Sequence, residues 1–175
     1  LDPVASIDIN NAITNKAFAF VSSESDLRDH VARYFNTIHT WLPVISQQRY
    51  YRRLSSFLDG QNPGFSLLTL SIILISTVPQ TPGTPLYLST KSFIGVLEGM
   101  GINSLDLLQT RLLVTIFEVG HGYLQAGNIS IGAVTRAAMT SGSREKQHVQ
   151  PSESAEEGGI EEGTQVWCGI LVLDR

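Results

Sequence analysis

An all-α fold is what this sequence predicts, an array of about seven packed helices in antiparallel pairs with one long acidic loop. Three observations predict it. Apolar residues recur at three- and four-residue steps through most of the chain; glycines and prolines fall between the periodic stretches; no run shows the convincing alternation of a half-buried strand. With 175 residues and 42% hydrophobic content, the chain has enough apolar material for the core of one ordinary domain.

Residues 1–22 alternate poorly and carry several Asn and Ser, which predicts a loosely ordered leader with one short helix around Ala12 to Phe20. Residues 23–142 form the helical core. From Ser25 onward, Leu27, Val31, Tyr34, Phe35, Ile38 and Leu42 share one helical face, with Asp29, His30, Arg33 and Asn36 largely on the other. Ser23 stands three before Asp26 as a capping-box-like start, and Pro43 ends this helix. A second helix starts at Ser46 and carries Tyr50, Leu54, Phe57 and Leu58 before Gly60, so that the two make a helical hairpin.

The turn Asn62-Pro63-Gly64 leads into a helix from Phe65 to Val78 that is apolar nearly all round and is expected at the centre of the core. Its apolar run contains Thr69, Ser71, Ser76 and Thr77 and stops at Pro79, short of the ~20 residues of a membrane span. No membrane partner is expected. Pro79 to Pro85 connects to a helix from Leu86 to Met100, closed by Gly101. Ser104 opens another, with Leu105, Leu108, Leu112, Ile116 and Val119 on one face and Leu113 and Phe117 widening the stripe, ended by Gly120-His121-Gly122. A further helix runs from about Asn128 to Met139 through Ile131, Val134 and Ala138, with Gly142 at its exit. Residues 143–164, rich in Ser, Gly, Gln and Glu, predict a flexible acidic loop. Residues 165–175 begin one more apolar segment, with Val166, Trp167, Ile170, Leu171 and Leu173, where periodicity leaves helix and strand open.

Composition narrows function. A formal net charge of −4 disfavours a phosphate-neutralising surface, so no DNA-binding residue is expected in this chain. The single cysteine, Cys168, builds neither a disulfide framework nor a thiolate zinc site and suits a reducing compartment. No secretory signal pattern opens the chain, and its start at Leu1-Asp2-Pro3 reads as excised from something longer. His30, His39, His121 and His148 have no partner at metal-ligand spacing, and no nucleophile, base and orienting group can be assembled. No catalytic, cofactor or metal site is therefore assigned. Ser143-Arg-Glu-Lys146 has the spacing of some acyl-transfer nucleophiles but opens a polar loop, and the glycines at 99–101 and 120–127 do not follow a phosphate-cradling pattern. The sequon Asn128-Ile129-Ser130 falls in a predicted helix and is discounted. Arg49, Arg52 and Arg53 beside Tyr50 and Tyr51 read as a solvated face or as partners of nearby acids, and the glutamates at 153, 156, 157, 161 and 162 as a solvated linker.

Three ordered stretches carry a resemblance. Tyr34-Phe35 through Ile38-His39, Trp41-Leu42-Pro43 and Ile45, followed by Tyr50 and Arg53-Leu54, resemble the opening of the fungal-specific transcription factor domain, the middle homology region of Zn2Cys6 regulators. Leu107-Leu108-Gln109, Leu112-Leu113, Glu118, Gly120 and Gly122, then Ile131-Gly132, Arg136, Ala137-Ala138 and Gly142, resemble its central helix pair. Glu161-Glu162-Gly163 running into Val166-Trp167-Cys168-Gly169-Ile170 and Leu173-Asp174-Arg175 resembles its tryptophan-bearing helix. Cys168 stands where the family often has a second tryptophan, and the family domain continues beyond its Asp-Arg, so the last helix reads as truncated.

The resemblance implies an all-α, non-catalytic regulatory region acting in the nucleus on RNA polymerase II transcription. It implies DNA contact only through the parent protein's N-terminal zinc cluster, which is absent here together with its zinc. Candidate partners are a small-molecule effector, a second copy of the chain or transcription co-regulators. Tyr34, His39 and Trp41 are candidates to line an effector pocket between helices. The competing readings are a helical protein–protein interaction scaffold unrelated to transcription and a small helical enzyme.

Overall fold

The computed structural model describes the backbone of residues 3–21, 23–58, 62–77, 84–145 and 157–173, and side chains within 11–21, 23–54, 62–77, 84–140 and 161–173. Among the described residues there are nine α-helices and no strand. In order they are α1 (Pro3–Phe18), α2 (Glu24–Asn36), α3 (Ile38–Trp41), α4 (Gln47–Leu58), α5 (Pro63–Ser76), α6 (Pro85–Gly99), α7 (Leu105–Gly120), α8 (Leu124–Glu145) and α9 (Glu157–Leu173).

Two helices form the centre. α5 is buried along nearly its whole length, as its all-round apolar pattern predicts, and it packs on α7 with α1, α2 and α6 around it. Its polar residues are accommodated by bonding back to its own turns. The Thr69 hydroxyl donates to the Phe65 carbonyl at 3.0 Å, Ser71 to Leu68 at 2.7 Å, and Ser76 to Ile72. Tyr50 of α4 meets Thr69 at 3.0 Å, and Thr14 of α1 donates to Ser66 at 3.2 Å. A buried hydroxyl without such a partner would cost a few kcal/mol. α7 is the second centre, buried without a break from Asp106 to Glu118 and flanked by α8 and α9. The one-sided stripe expected there is corrected: Asp106, Gln109, Arg111 and Glu118 are also buried, because their partners lie on neighbouring helices and not in water.

The helix boundaries follow local chemistry. Ser23 accepts from the Asp26 N–H at 3.2 Å, Ser104 from Leu107 at 3.3 Å, and Asn62 from Phe65 at 3.0 Å, each closing a helix N-terminus. α6 and α7 both end in a left-handed glycine, Gly101 at φ 72° and Gly122 at φ 78°. Around them the Ile102 N–H reaches Leu97 O at 3.0 Å and Tyr123 reaches Glu118 O at 2.8 Å, the paired terminal bonds of a Schellman stop.

Several boundaries differ from expectation. The leader contains α1, which starts at Pro3, buries Ile13 and Ala17, and packs on α5. The first predicted hairpin helix is broken at Thr37 (φ −123°, ψ −81°), whose hydroxyl and amide bond back to Arg33 O and Tyr34 O, leaving α3 as a single turn. Gly142 does not end α8, which runs to Glu145. The acidic stretch is helical at both edges: 143–145 belong to α8 and 157–164 to α9, while 146–156 lie outside the described residues, as does Gly60. The last segment is helix. Buried Gly169 lets α9 press close to its neighbours, since a Cβ there would lie 2.8 Å from Leu112 Cδ2 and 3.3 Å from both Leu42 Cδ1 and Val44 Cγ1.

Leu112 is fully buried where α7 meets α9. Leu112→Ala is expected to destabilise the fold by about 2–5 kcal/mol through lost burial and the cavity left behind, as measured by urea unfolding.

Candidate functional site: a buried junction and a cleft beside Arg111

Glu162 of α9 is only 4% exposed, and its carboxylate gathers three donors from two distant parts of the chain. One oxygen accepts the Ser46 N–H at 3.1 Å; the other accepts Arg49 Nη1 at 2.9 Å and Gln109 Nε2 at 3.1 Å. Gln109 also donates to the Val44 carbonyl at 2.7 Å. Ser46 Oγ accepts from the Arg49 amide at 3.3 Å, so the carboxylate sits at the N-terminal turn of α4, where free amides and the helix dipole favour negative charge.

One turn further along α4, Arg53 grips Asp106 of α7 with two bonds of 2.7 Å and lies 4.4 Å over the Phe65 ring. The bond to Asp106 holds the Arg53 guanidinium above its ordinary pKa. Of the arginine cluster read from the sequence, Arg49 and Arg53 are therefore ion-pair residues, and Arg52 remains on the exposed face.

A third buried carboxylate, Glu118, ties α7 to α6. The Tyr87 hydroxyl donates to it at 2.7 Å and Lys91 Nζ lies 2.9 Å from the same oxygen, while Lys91 also donates to Ser130 of α8 at 2.9 Å. Burial, and then the bond to Glu118, pushes the Tyr87 hydroxyl well above its ordinary pKa. Its ring stacks on Tyr123 at 5.6 Å and Phe117 at 5.5 Å.

Between α6, α7 and α8 opens a cleft of about 360 Å³, lined in part by Glu98, Asn103, Arg111, Arg136 and Thr140. Its volume falls in the usual range for small-molecule sites. A smaller cavity shares Glu98, Arg111 and Ala133 with it. Arg111 is 9% exposed and pairs with Glu98 at 2.8 Å. Burial lowers its pKa from the ordinary arginine value, with Glu98 opposing the shift. Its Nε has no hydrogen-bond partner among the described residues, and neither has Asn103 Oδ1. The Asn103 amide is oriented by donating to Ala137 O at 3.0 Å and Thr140 Oγ1 at 3.1 Å, which leaves its carbonyl oxygen unused.

The structure brings two of the three effector-pocket candidates together. Tyr34 is fully buried, its ring 6.2 Å from His39 and 5.1 Å from Phe35, while Trp41 is 55% exposed. Arg111 and Asn103 were not singled out from the sequence. The available signal was a lone arginine in a helix rich in apolar residues, immediately before the run Leu112-Leu113-Val114. Among the described residues, no group of three or more His, Cys, Asp or Glu is placed to hold a metal ion, and no helix is long and apolar enough to cross a membrane.

Over 128 residues the chain is 30% identical to Transcription factor BOA15 of Botryotinia fuckeliana (strain B05.10), covering 71% of this chain and 72% of that protein. The chain belongs to this family of fungal transcription factors. No protein-family model and no solved structure matches it. In this family member, α4, α7 and α9 are bound together at a buried carboxylate whose partners are a backbone amide, a neutral side-chain amide and the part-exposed Arg49 guanidinium, an arrangement suited to fixing one helix packing.

Glu162→Ala strips the Ser46 amide and the Gln109 side chain of a buried acceptor. It is expected to lower stability by about 2–3 kcal/mol, the exposed side of Arg49 limiting the loss, with Glu162→Gln milder; urea unfolding checks both. Burial lowers the pKa of His39, and of His30 despite Asp26 nearby, while Arg33 adds to the lowering at His30. Below the ordinary value of 6.5 the unfolded chain takes up protons that the folded chain resists, so stability falls with pH and levels off once both groups titrate in the fold. His39→Gln is expected to flatten that slope in unfolding curves recorded between about pH 7.5 and 5.5.

Proposed function

We propose that this chain is the regulatory middle homology region of a fungal Zn2Cys6 transcription factor, acting in the nucleus on RNA polymerase II transcription and catalysing no reaction. The relative named as a transcription factor supports the regulatory role. The carrying observation is structural. Arg53 from the first resembling stretch pairs with Asp106 beside the second, and Glu162 from the third bonds Gln109 from the second. Stretches far apart in sequence thus meet in one packed unit. On this reading, DNA contact and zinc belong to an N-terminal cluster outside these residues. A small-molecule effector, a second copy or co-regulators are the partners, with exposed apolar side chains such as Ile129 and Val172 as contact surface.

The chain fused to a heterologous DNA-binding domain is expected to change transcription of a reporter carrying that domain's site, relative to the DNA-binding domain alone. Glu162→Ala is expected to abolish the change. A reporter that ignores the wild-type fusion overturns the regulatory reading in favour of a scaffold outside transcription. Zinc-cluster cysteines encoded upstream of Leu1 in the parent reading frame are the expected companion finding.

A further inference from the structure

The geometry points to a ligand site in the cleft between α6, α7 and α8, which takes a small hydroxycarboxylate: its carboxylate on Arg111 and Arg136, its hydroxyl on Asn103.

Four observations carry this. First, the cleft presents an arginine that is nine-tenths buried yet keeps a donor without a partner among the described residues, together with a carbonyl acceptor in the same condition. Unmet buried polar atoms are rare, and an unmet donor and an unmet acceptor on two residues of one cleft wall, both atoms covered from solvent, match a ligand that settles into the wall and both accepts and donates. Second, Arg136 adds a guanidinium to the lining and has no ion-pair partner among the described residues. Among the described lining residues Glu98 is the only acidic one, against Arg111 and Arg136, so this part of the wall carries a net positive charge. The neighbouring Lys91 is matched by Glu118. Third, the Asn103 amide is held by Ala137 and Thr140, so its free carbonyl oxygen asks for a hydroxyl or amine and not for a second carboxylate. Fourth, Glu98 is the movable member. It is 42% exposed at its side chain and sits on Arg111 Nη2 at 2.8 Å, where a ligand carboxylate would sit. Glu98 is thus an internal competitor that swings outward when an external carboxylate takes its place, uncovering the arginine edge.

That this ligand is a regulatory effector rests on the function proposed above; that the cleft binds it does not. The test is isothermal titration of the full chain at constant ionic strength with two matched pairs, malate against succinate and 2-hydroxybenzoate against benzoate. The hydroxylated member of at least one pair is expected to bind about tenfold more tightly than its deoxy partner. Asn103→Ala is expected to erase that difference. Glu98→Gln, which removes the competing charge, is expected to tighten binding, and Arg111→Met to abolish it; should Arg111→Met fail to fold, Arg136→Met is expected to weaken binding in its place. Absence of heat with all four compounds in both the wild type and Glu98→Gln overturns the site, as does binding that survives Arg111→Met or Arg136→Met unchanged. Binding without a reporter response leaves the site standing and counts against regulation; a reporter response without binding does the reverse.

Discussion

A carboxylate withdrawn from water is tolerated only if the protein replaces the hydration it loses, and the packing of α9 depends on how Glu162 meets that demand. A backbone amide, a guanidinium and a side-chain amide supply it, from α7 and from the entry to α4. None of these is interchangeable with a surface contact. Because the carboxylate also serves the first turn of α4, the placement of that helix and of α9 are one constraint. Arg53 and Asp106 repeat the device one turn away, and Phe65 carries it to α5.

The two central helices solve the same desolvation problem in opposite ways. α5 turns its hydroxyls back on its own carbonyls and offers neighbours an almost purely apolar surface. α7 turns Thr110 and Thr115 back in the same way but sends its charged and amide side chains outward to specific partners on α4, α6 and α9. Packing against α5 is therefore permissive, since apolar contact tolerates small shifts, whereas packing against α7 is directional. Both the buried junction and the cleft lie on the directional side.

The elements most legible in the sequence were those governed by neighbours in the chain. Caps at Ser23 and Ser104, stops at Gly101 and Gly122, and the all-round burial of α5 depend on local spacing. The break at Thr37 was missed because a threonine hydroxyl bonding to the previous turn competes with a helix that hydrophobic spacing alone would continue. The apolar stripe read along α7 gives no sign that its polar residues are buried too, because periodicity cannot distinguish water from an ion-pair partner. The acidic run around Glu161 and Glu162 was read as a solvated linker for the same reason, though Glu162 is among the most deeply buried acids. Arg111 and Asn103 come together only through the fold, so no spacing rule could have joined them.

The junction at Glu162 also bears on how the chain assembles. Ser46 and Glu162 are 116 positions apart, so closing their contact is a long-range event, whereas α5, α6 and α7 follow one another closely in the sequence. On the ribosome, α4, α5 and α7 are complete well before α9 emerges. Until then, the Gln109 amide has only the Val44 carbonyl of its two acceptors, and the face of Leu112 beside Gly169 lacks its α9 neighbour. The nascent chain passes through a stage in which its central helix is formed and one flank of it is bare, and that stage is where a chaperone would have its grip.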